Sequence, residues 1–312
     1  MHVATCGSGP LVLLCHGFPE SWRTWRHQIP ALAGAGWRVA APDMRGYGQS
    51  DRPEAIAAYN IFDLVGDMVG LVHALGEQRA VIVGHDWGAS VAQYAALMRP
   101  EVFHAVALLS VPFDVRAPGG VAPTVAMQHM APGKVFYQYY FQQPGKAESE
   151  LEADVRDTLL RVLYSASGSA PVAHRWRFLF EPREKLLDTV TRPDALPAWL
   201  AIEDLDFLSA EFGRTGFRGG LNYYRNLDFN WAHTRHLVGA RIHQPSLFIG
   251  GDVDGSVLFR MAAYDGLEQA MPGLTRKVLL PGIGHWTPEE APEAVNDLLL
   301  QFLAPLRRVA PA

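Results

Sequence analysis

Hydrophobic residues in this chain fall into short continuous runs near both ends and into helix-spaced patterns between those runs. Residues 11–15 and 81–83 form runs without a polar side chain, as in strands that are buried on both faces of a parallel sheet. Residues 63–75 instead repeat apolar side chains at the spacing of an amphipathic helix, and Gly76 follows them. Strands that alternate with helices predict βαβ units and a parallel sheet. The predicted strands span residues 3–6, 11–15, 37–41, 81–83, 105–109, 246–250 and 277–280.

The fourth predicted strand runs into the sequence Gly84-His85-Asp86-Trp87-Gly88, and an apolar helical pattern follows at once. A strand, a very tight turn and a helix force the central residue of the turn into strained backbone geometry, so only small residues are tolerated beside it. Gly84 and Gly88 meet this requirement. The turn holds one side chain clear of the sheet edge, above a helix N-terminus. In the familiar Gly-x-Ser-x-Gly elbow that side chain is a serine, and here it is Asp86.

The pattern changes after Pro112. Residues 113–235 contain no run of the buried-strand kind, and their many aromatic side chains lie in segments of helical length. The alternating pattern then resumes and ends in a helix for which Thr287 is the predicted cap. We therefore predict an α/β core of residues 1–112 and 236–312, with residues 113–235 inserted as a helical cap. The further predicted helices span residues 22–32, 135–142, 148–164, 197–212, 220–231 and 257–270.

Two carboxylates and a histidine follow the last two predicted strands. Asp252 and Asp254 come after the sixth strand, and His285 comes after the seventh. The loops at the carboxyl ends of parallel strands share one crevice, so these groups can meet Asp86 although they are distant in sequence. The chain order of nucleophile, acid and histidine is that of α/β-hydrolases. The residues themselves leave the acid open between Asp252 and Asp254.

An aspartate at the elbow favours attack on a saturated carbon. A carboxylate, with a reference pKa of about 3.9, is already ionised at neutral pH and needs no base. His285 is then free to activate a water that hydrolyses the resulting ester, and the backbone N–H groups of Phe18 and Trp87 are the natural donors to the oxyanion. Attack on an acyl carbon would instead give a labile anhydride, so esterase or peptidase activity is disfavoured.

The leaving group separates two reactions. A halide leaves without a proton, whereas an epoxide oxygen leaves as an alkoxide and needs a donor such as a tyrosine hydroxyl. The predicted cap has tyrosine-rich clusters at residues 136–142 and 221–226. Aromatic clusters on helices usually form core packing, and the residues alone do not select a tyrosine in either cluster.

Composition and charge exclude several classes of function. The 312 residues carry a net charge of −5 and no basic stripe, which argues against nucleic acid as a partner. No ligand spacing for a metal and no phosphate-binding loop is present, so no cofactor is expected. No apolar stretch is long enough to cross a membrane, and the N-terminus does not resemble a signal peptide. We expect Cys6 and Cys15 to be reduced thiols and the protein to be cytoplasmic.

Five motifs, spread over nearly the whole chain, resemble the α/β-hydrolase-fold epoxide hydrolases of the soluble and bacterial type. The motifs near the N-terminus and at the elbow are shared with haloalkane dehalogenases, whereas the two cap motifs are much more specific to epoxide hydrolases. The resemblance implies a mostly parallel central sheet flanked by helices, with an inserted cap domain. The motifs are His16-Gly17-Phe18-Pro19-Glu20-Ser21-Trp22, Gly46-Tyr47-Gly48-Gln49-Ser50-Asp51, Gly84-His85-Asp86-Trp87-Gly88, Phe217-Arg218-Gly219-Gly220-Leu221-Asn222-Tyr223-Tyr224-Arg225-Asn226 and Gly284-His285-Trp286, with Tyr137 and Phe141-Gln142 matching a further cap pattern.

The resemblance also implies roles for particular residues. Tyr137 and Tyr224 would donate to the epoxide oxygen, and Asp254 would be the acid of the triad, with Asp252 second. Some dehalogenases place the acid after the strand that precedes the cap, where Asp114 would be the candidate. The residues expected to contact substrate are Phe18, Trp87, His16, Pro19 and Trp286.

The expected substrates are a small apolar epoxide and water, and the expected product is a vicinal diol. Fluoroacetate dehalogenases carry arginine after the nucleophile, and Trp87 at that position argues against an acidic substrate. A homodimer is compatible with the resemblance. The alternatives are a haloalkane dehalogenase and a non-catalytic, ligand-binding member of the fold. One departure concerns the edge strand: the family usually has a strand before the one at residues 3–6, so either that strand is absent or the true start lies upstream.

Overall fold

The computed structural model describes residues 1–309, and its main feature is a sheet of seven strands. The strand order is β1-β3-β2-β4-β5-β8-β9, and only β1 is antiparallel to its neighbour. The predicted fold, a mostly parallel sheet flanked by helices, is thereby confirmed. Within these residues the strands are β1 (Val3–Cys6), β2 (Leu11–Cys15), β3 (Arg38–Pro42), β4 (Ala80–His85), β5 (Phe103–Leu109), β6 (Val135–Phe136), β7 (Leu179–Phe180), β8 (Ser246–Gly251) and β9 (Leu274–Leu280).

The central strands are apolar on both faces because helices cover both faces of the sheet. Every residue of β2 and β4 is buried. Side chains alternate between the faces, so that Leu13 and Ile82 pack in one hydrophobic cluster while Val12 and Val81 pack in another. The carboxyl ends of β4, β5, β8 and β9 therefore lie along one edge of the sheet, where the loops that carry chemistry can meet.

From β2 onward, helices occupy each interval between successive sheet strands, including most of the long interval between β5 and β8. Among the described residues no helix combines the length and the apolar character needed to cross a bilayer. The α-helices are α1 (Gln28–Gly34), α2 (Ile61–Ala74), α3 (Trp87–Met98), α4 (Pro123–Met130), α5 (Tyr137–Tyr140), α6 (Lys146–Leu151), α7 (Val155–Ala166), α8 (Ile202–Thr215), α9 (Arg218–Arg225), α10 (Leu227–His233), α11 (Gly255–Phe259), α12 (Met261–Asp265), α13 (Leu267–Ala270), α14 (Thr287–Glu290) and α15 (Pro292–Leu303).

Several predicted helices are interrupted in the structure. The prediction of one helix over residues 22–32 is wrong, since a 3-10 turn at Trp22–Trp25 precedes α1. Pro30 accounts for the break, because proline is tolerated in the first turn of a helix and not further inside. Residues 257–270 likewise form α11, α12 and α13 rather than one helix. Thr287 is the first helical residue of α14, and Trp286 takes the cap position that we predicted for Thr287.

The interval between β5 and β8 contains helices α4 to α10 and one small strand pair. Here too the predicted boundaries change: residues 135–142 begin as strand β6, which pairs with β7, before they turn into α5. Residues 148–164 are divided between α6 and α7, with Asp154 capping the second helix through a bond from Asp157 N–H. We propose that residues 113–235 are the cap and that residues 1–112 and 236–312 are the core.

Candidate active site

Asp86 lies between the end of β4 and the start of α3, at the centre of the strained turn. Its φ of 52° and ψ of −118° are unusual for any residue other than glycine. A Cβ atom on Gly84 would collide with the Gly88 carbonyl, and a Cβ atom on Gly88 would collide with the Cys15 carbonyl. The elbow therefore closes only because both flanking residues are glycine.

His285 lies between two carboxylates. Its Nε2 is 3.5 Å from Oδ2 of Asp86, and its Nδ1 is 3.1 and 3.2 Å from the two carboxylate oxygens of Asp254. Burial alone would lower the pKa of His285, but the two carboxylates outweigh burial and hold that pKa well above its usual range. Burial alone would raise the pKa of Asp86, yet the contact with His285 keeps it below its usual value. The resting site therefore favours a carboxylate beside an imidazolium.

The structure separates the three acids that the sequence left open. Asp254 is fully buried against His285, and its side chain also accepts a hydrogen bond from Ser256 N–H at 2.8 Å. Asp252 is exposed and accepts instead from Gly282 N–H at 2.7 Å. Asp114 is exposed on the wall of a neighbouring cavity. In the described chain, Asp254 and Asp86 are the only carboxylates within ion-pair distance of His285.

One of the two predicted oxyanion donors already bonds to the nucleophile. Phe18 N–H donates to Oδ1 of Asp86 at 2.8 Å. Gly17 makes this approach possible, since a Cβ atom there would overlap the Asp86 side chain. The N–H of Trp87 makes no hydrogen bond to that carboxylate anywhere in the part of the chain that is described. Its place at the first residue of α3 is nevertheless the position from which a donor reaches the same carboxyl group.

The two predicted tyrosines come together above Asp86. Tyr137 is the first residue of α5, Tyr224 is in α9, and their ring centroids are 6.2 Å apart. Burial and then the Asp86 charge raise the pKa of Tyr224 well above its usual value. Burial also raises the pKa of Tyr137, although a hydrogen bond that its hydroxyl accepts from Gln138 at 2.8 Å partly offsets the rise. Both hydroxyls therefore keep their protons at neutral pH and can donate them.

Two cavities meet at this site. One has a volume of about 150 Å³ and the other of about 450 Å³, and both are lined by Asp86, Tyr137 and Tyr224. Phe18 and Trp286 line the smaller cavity, and so do His285 and Asp254. Trp87 lines the larger one, together with apolar side chains of α4, α10 and α11. The Asp86 carboxylate thus lies where the two cavities join.

His16 and Pro19, which we expected to contact substrate, line neither of these cavities. His16 is buried, and its Nε2 accepts from Met44 N–H at 2.9 Å while its Nδ1 donates to the Gly17 carbonyl at 2.9 Å. Burial lowers the pKa of His16, in keeping with a neutral ring. Pro19 is also buried and lines a separate small cavity, together with Leu200 of the proposed cap. Both residues fix the loop that carries Phe18 rather than facing the reacting carbon.

A further buried histidine was not singled out in the sequence analysis. His85 precedes Asp86, and its Nδ1 is 2.7 Å from Oε1 of Glu20 while its Nε2 donates to the His285 carbonyl at 2.7 Å. Burial alone would lower the pKa of His85, but the Glu20 carboxylate raises it. Ser110 also donates to the His285 carbonyl, at 2.8 Å. The signal was available, because a polar side chain at the end of an apolar strand needs a buried partner.

Known proteins are similar to nearly the whole of this chain in sequence and in structure. A family model described as alpha/beta hydrolase fold matches residues 10–292. Epoxide hydrolase A of Mycobacterium tuberculosis is 46% identical over 297 residues, which are 95% of this chain and 91% of that protein. An epoxide hydrolase of Caballeronia sordidicola is 41% identical over 97% of this chain and 90% of its own length. The solved structure of an epoxide hydrolase from an endophytic Streptomyces superposes with a TM-score of 0.95 at 47% identity, covering 98% of this chain and 92% of that one.

Proposed function

This chain belongs to the epoxide hydrolases of the α/β-hydrolase fold, and on that premise we propose that it opens an apolar epoxide to a vicinal diol through an ester on Asp86. One observation carries the proposal. An ionised carboxylate lies at the elbow, 3.5 Å from the histidine that can later activate water, and two protonated tyrosines line the same cavities. The tyrosines favour an epoxide over a haloalkane, because a halide needs no proton on leaving.

The first half-reaction is the attack of the carboxylate. An oxygen of Asp86 forms a bond to one epoxide carbon as the bond from that carbon to the epoxide oxygen breaks. The electron pair of the broken bond stays on the oxygen, which takes a proton donated by Tyr137 or Tyr224. Donation is favourable despite their raised pKa values, because the alkoxide is a much stronger base than a phenolate. The product is a hydroxyalkyl ester of Asp86.

Ester formation changes the protonation of the base. Once Asp86 is an ester it carries no charge, so only Asp254 still favours the imidazolium of His285. The pKa of His285 falls, so the imidazolium gives up its proton, which replaces the one that the tyrosine donated. The neutral histidine can then take a proton from water. The resulting hydroxide attacks the Asp86 carbonyl, and the N–H groups of Phe18 and Trp87 receive the developing negative charge. On collapse, the leaving diol oxygen takes the proton that the attacking hydroxide carries, which releases the diol and restores the Asp86 carboxylate.

The cavity walls support an apolar substrate. Phe18, Trp87, Phe178 and Trp286 contribute aromatic surface on both sides of the nucleophile. A volume near 150 Å³ is about what a benzene ring needs, so the smaller cavity fits a phenyl-sized substituent.

A cytoplasmic location is a further part of the proposal, supported by free thiols at both cysteines. The proposal of a homodimer rests on family resemblance alone. A measurement of the molecular mass in solution tests it.

A single turnover in heavy-oxygen water tests the covalent route. An excess of enzyme is mixed with a simple aryl epoxide, and the mass of the peptide that contains Asp86 is then measured by mass spectrometry. We expect the label in the Asp86 carboxylate and unlabelled oxygen in the diol, because water attacks the ester carbonyl. Enzyme in the same water without epoxide is the control. A labelled diol together with an unlabelled peptide would contradict the ester mechanism, and the absence of any diol would contradict the proposed activity.

A further inference from the structure

A buried ion pair lies beside the two helices that carry Tyr137 and Tyr224, and the mechanism above makes no use of it. Arg225, the residue after Tyr224, has a side chain that is only 2% exposed, and its Nη1 is 2.7 Å from Oε1 of Glu148. Its Nη2 donates to the other carboxylate oxygen at 2.9 Å, which makes the pair bidentate. A buried ion pair is often no more stable than apolar residues of the same size, so its presence calls for a further reason.

The same guanidinium holds the segment that closes α5. Nε of Arg225 donates to the Phe141 carbonyl at 3.0 Å, and Phe141 N–H in turn donates to the Tyr137 carbonyl at 3.1 Å. In the opposite direction, the side-chain amide of Gln142 donates to the Tyr224 carbonyl at 3.0 Å. Each tyrosine helix therefore has a side chain at or just beyond its C-terminal end that donates a hydrogen bond to the main chain at the end of the other helix.

Helix α9 has its own attachment to the core. The Tyr223 hydroxyl donates to the Arg45 carbonyl at 2.9 Å, and the side-chain amide of Asn226 donates to the Ile56 carbonyl at 2.7 Å. Both acceptors belong to the proposed core, which also carries the nucleophile. The tyrosine of α9 is thus located by direct bonds to the core, whereas the tyrosine of α5 is connected to α9 through Arg225 and its neighbours.

We propose that Arg225, together with Glu148 and Gln142, is a positioning unit that sets the place of the Tyr137 hydroxyl relative to that of Tyr224. The inference rests on the proposed function, since it assigns the unit to the step in which both tyrosines meet one epoxide oxygen. Two donors on separate helices can serve one oxygen only if the spacing of the helices is fixed. An error of about 1 Å in such an arrangement can cost about 100-fold in rate.

Arginine suits this task better than lysine. Its planar guanidinium presents donors at fixed angles, so the bonds to Glu148 and to the Phe141 carbonyl also fix the distance between the two partners. A lysine can keep the charge pair but offers a single flexible ammonium group in place of the fork. Arg225→Lys is therefore a variant that preserves the buried charge while it loosens the spacing.

The test separates the two half-reactions by stopped-flow and rapid-quench measurements on the full-length protein. We expect Arg225→Lys to slow formation of the alkyl-enzyme by about tenfold or more, while hydrolysis of the ester stays within about twofold of the wild type. Gln142→Met, which removes the amide and leaves the ion pair intact, is expected to slow the same step by a smaller factor. This second variant carries the test if Arg225→Lys does not fold.

Arg161→Lys is the matched control. Arg161 pairs with Asp157 at 2.6 Å within α7, so the change loosens an ion pair of the cap that does not contact either tyrosine helix. We expect it to leave both half-reactions unchanged. A melting temperature for each variant shows whether a lower rate reflects a less stable cap.

Combining variants gives the sharpest readout. In a Tyr137→Phe background, Arg225→Lys should cost much less than it does in the wild type, because the hydroxyl that it positions is already absent. In a Tyr224→Phe background the cost should persist. Equal costs in all three backgrounds, or equal slowing of both half-reactions, would overturn the positioning role. Failure of the proposed function looks different, since the wild-type enzyme itself would then form no alkyl-enzyme.

Discussion

The two sides of the active site are built by different means. On the core side, the main chain fixes the reacting groups. The strained turn presents Asp86, and the Phe18 N–H donates to one of its oxygens. The two glycines that flank the turn allow it to close. On the cap side, Tyr137 and Tyr224 lie on separate helices that side-chain hydrogen bonds connect. Main-chain geometry varies little with neighbouring substitutions, whereas side-chain contacts are easily exchanged. We therefore expect the proposed core to set the reaction and the proposed cap to adapt to the substrate.

The tyrosines of the cap side and the histidine of the core side also act at different times in the proposed mechanism. The tyrosines are needed while the epoxide opens, and His285 with Asp254 is needed while the ester is hydrolysed. Substitutions on the cap side should accordingly slow alkylation, and substitutions around the histidine should slow hydrolysis. Each prediction below tests whether the two sides can be separated in this way.

The largest expected effect is that of His285→Gln. Hydrolysis should slow by about 10⁴-fold, near the upper range for loss of a general base, while alkylation of Asp86 continues. The alkyl-enzyme should accumulate and appear in an intact mass spectrum as the enzyme plus one epoxide. Asp86→Ala, which has no nucleophile, is the control and should gain no mass. Turnover by His285→Gln without any adduct would contradict the division between the two sides.

Asp254→Asn should have the next largest effect, about 10-fold to 100-fold weaker than loss of the histidine, as for the acid of other triads. The carboxylate favours the imidazolium, so its removal lowers the pKa of His285. The base is then unprotonated at lower pH, and the rise of the hydrolysis rate with pH should shift to lower pH while its plateau falls. Pre-steady-state rates between about pH 5 and pH 9 would measure this, spanning the reference pKa of histidine.

Asp252→Asn is the matched control for that variant, since Asp252 follows the same strand and bonds to Gly282. We expect its pH profile to coincide with that of the wild type. A pH profile that is shifted by Asp252→Asn and unchanged by Asp254→Asn would show that Asp252, and not Asp254, is the acid.

The same contrast explains how much of the molecule could be predicted from sequence. The sheet and the positions of Asp86 and His285 beside its carboxyl edge were predictable, because apolar runs and glycine spacing reflect main-chain geometry directly. The choice between Asp252 and Asp254 was not, because both follow β8 and only the folded loop decides which carboxylate turns inward. Helix boundaries such as that at Pro30 were missed where helical spacing outweighed a visible proline.

On the cap side, the residues alone did not distinguish Tyr137 and Tyr224 from their aromatic neighbours. Packing and donation both call for an aromatic ring, and the direction of a hydroxyl depends on how two distant helices meet. The resemblance to epoxide hydrolases selected these two residues, and the structure places both on the cavity walls with Asp86. Their role as donors stays a prediction.

Tyr137→Phe and Tyr224→Phe test that role on the cap side. Each should slow alkylation by about 100-fold at most, the lower range for loss of a general acid, because the other hydroxyl still donates. The hydrolysis rate should stay near that of the wild type. Tyr139→Phe, which alters a partly buried tyrosine of the same helix, is the control. A variant that slows hydrolysis and spares alkylation would reverse the assignment of the two sides.

The smallest effect should come from Gln138→Leu. This variant tests whether the Gln138 amide leaves the proton of the Tyr137 hydroxyl free to be donated to the epoxide. The Gln138 amide donates to the Tyr137 hydroxyl oxygen at 2.8 Å, which partly offsets the rise in the pKa of Tyr137 and leaves that hydroxyl's own proton for the epoxide. Loss of one such bond is worth about 1 kcal/mol, so alkylation should slow by about fivefold.

Gln128→Leu removes a similar bond, from Gln128 to the Tyr139 hydroxyl at 2.5 Å, and should leave alkylation unchanged. Equal rates for the two variants would mean that the Gln138 bond serves only to pack the cap. A slower rate for Gln138→Leu alone would show that the cap tunes the acidity of its donor.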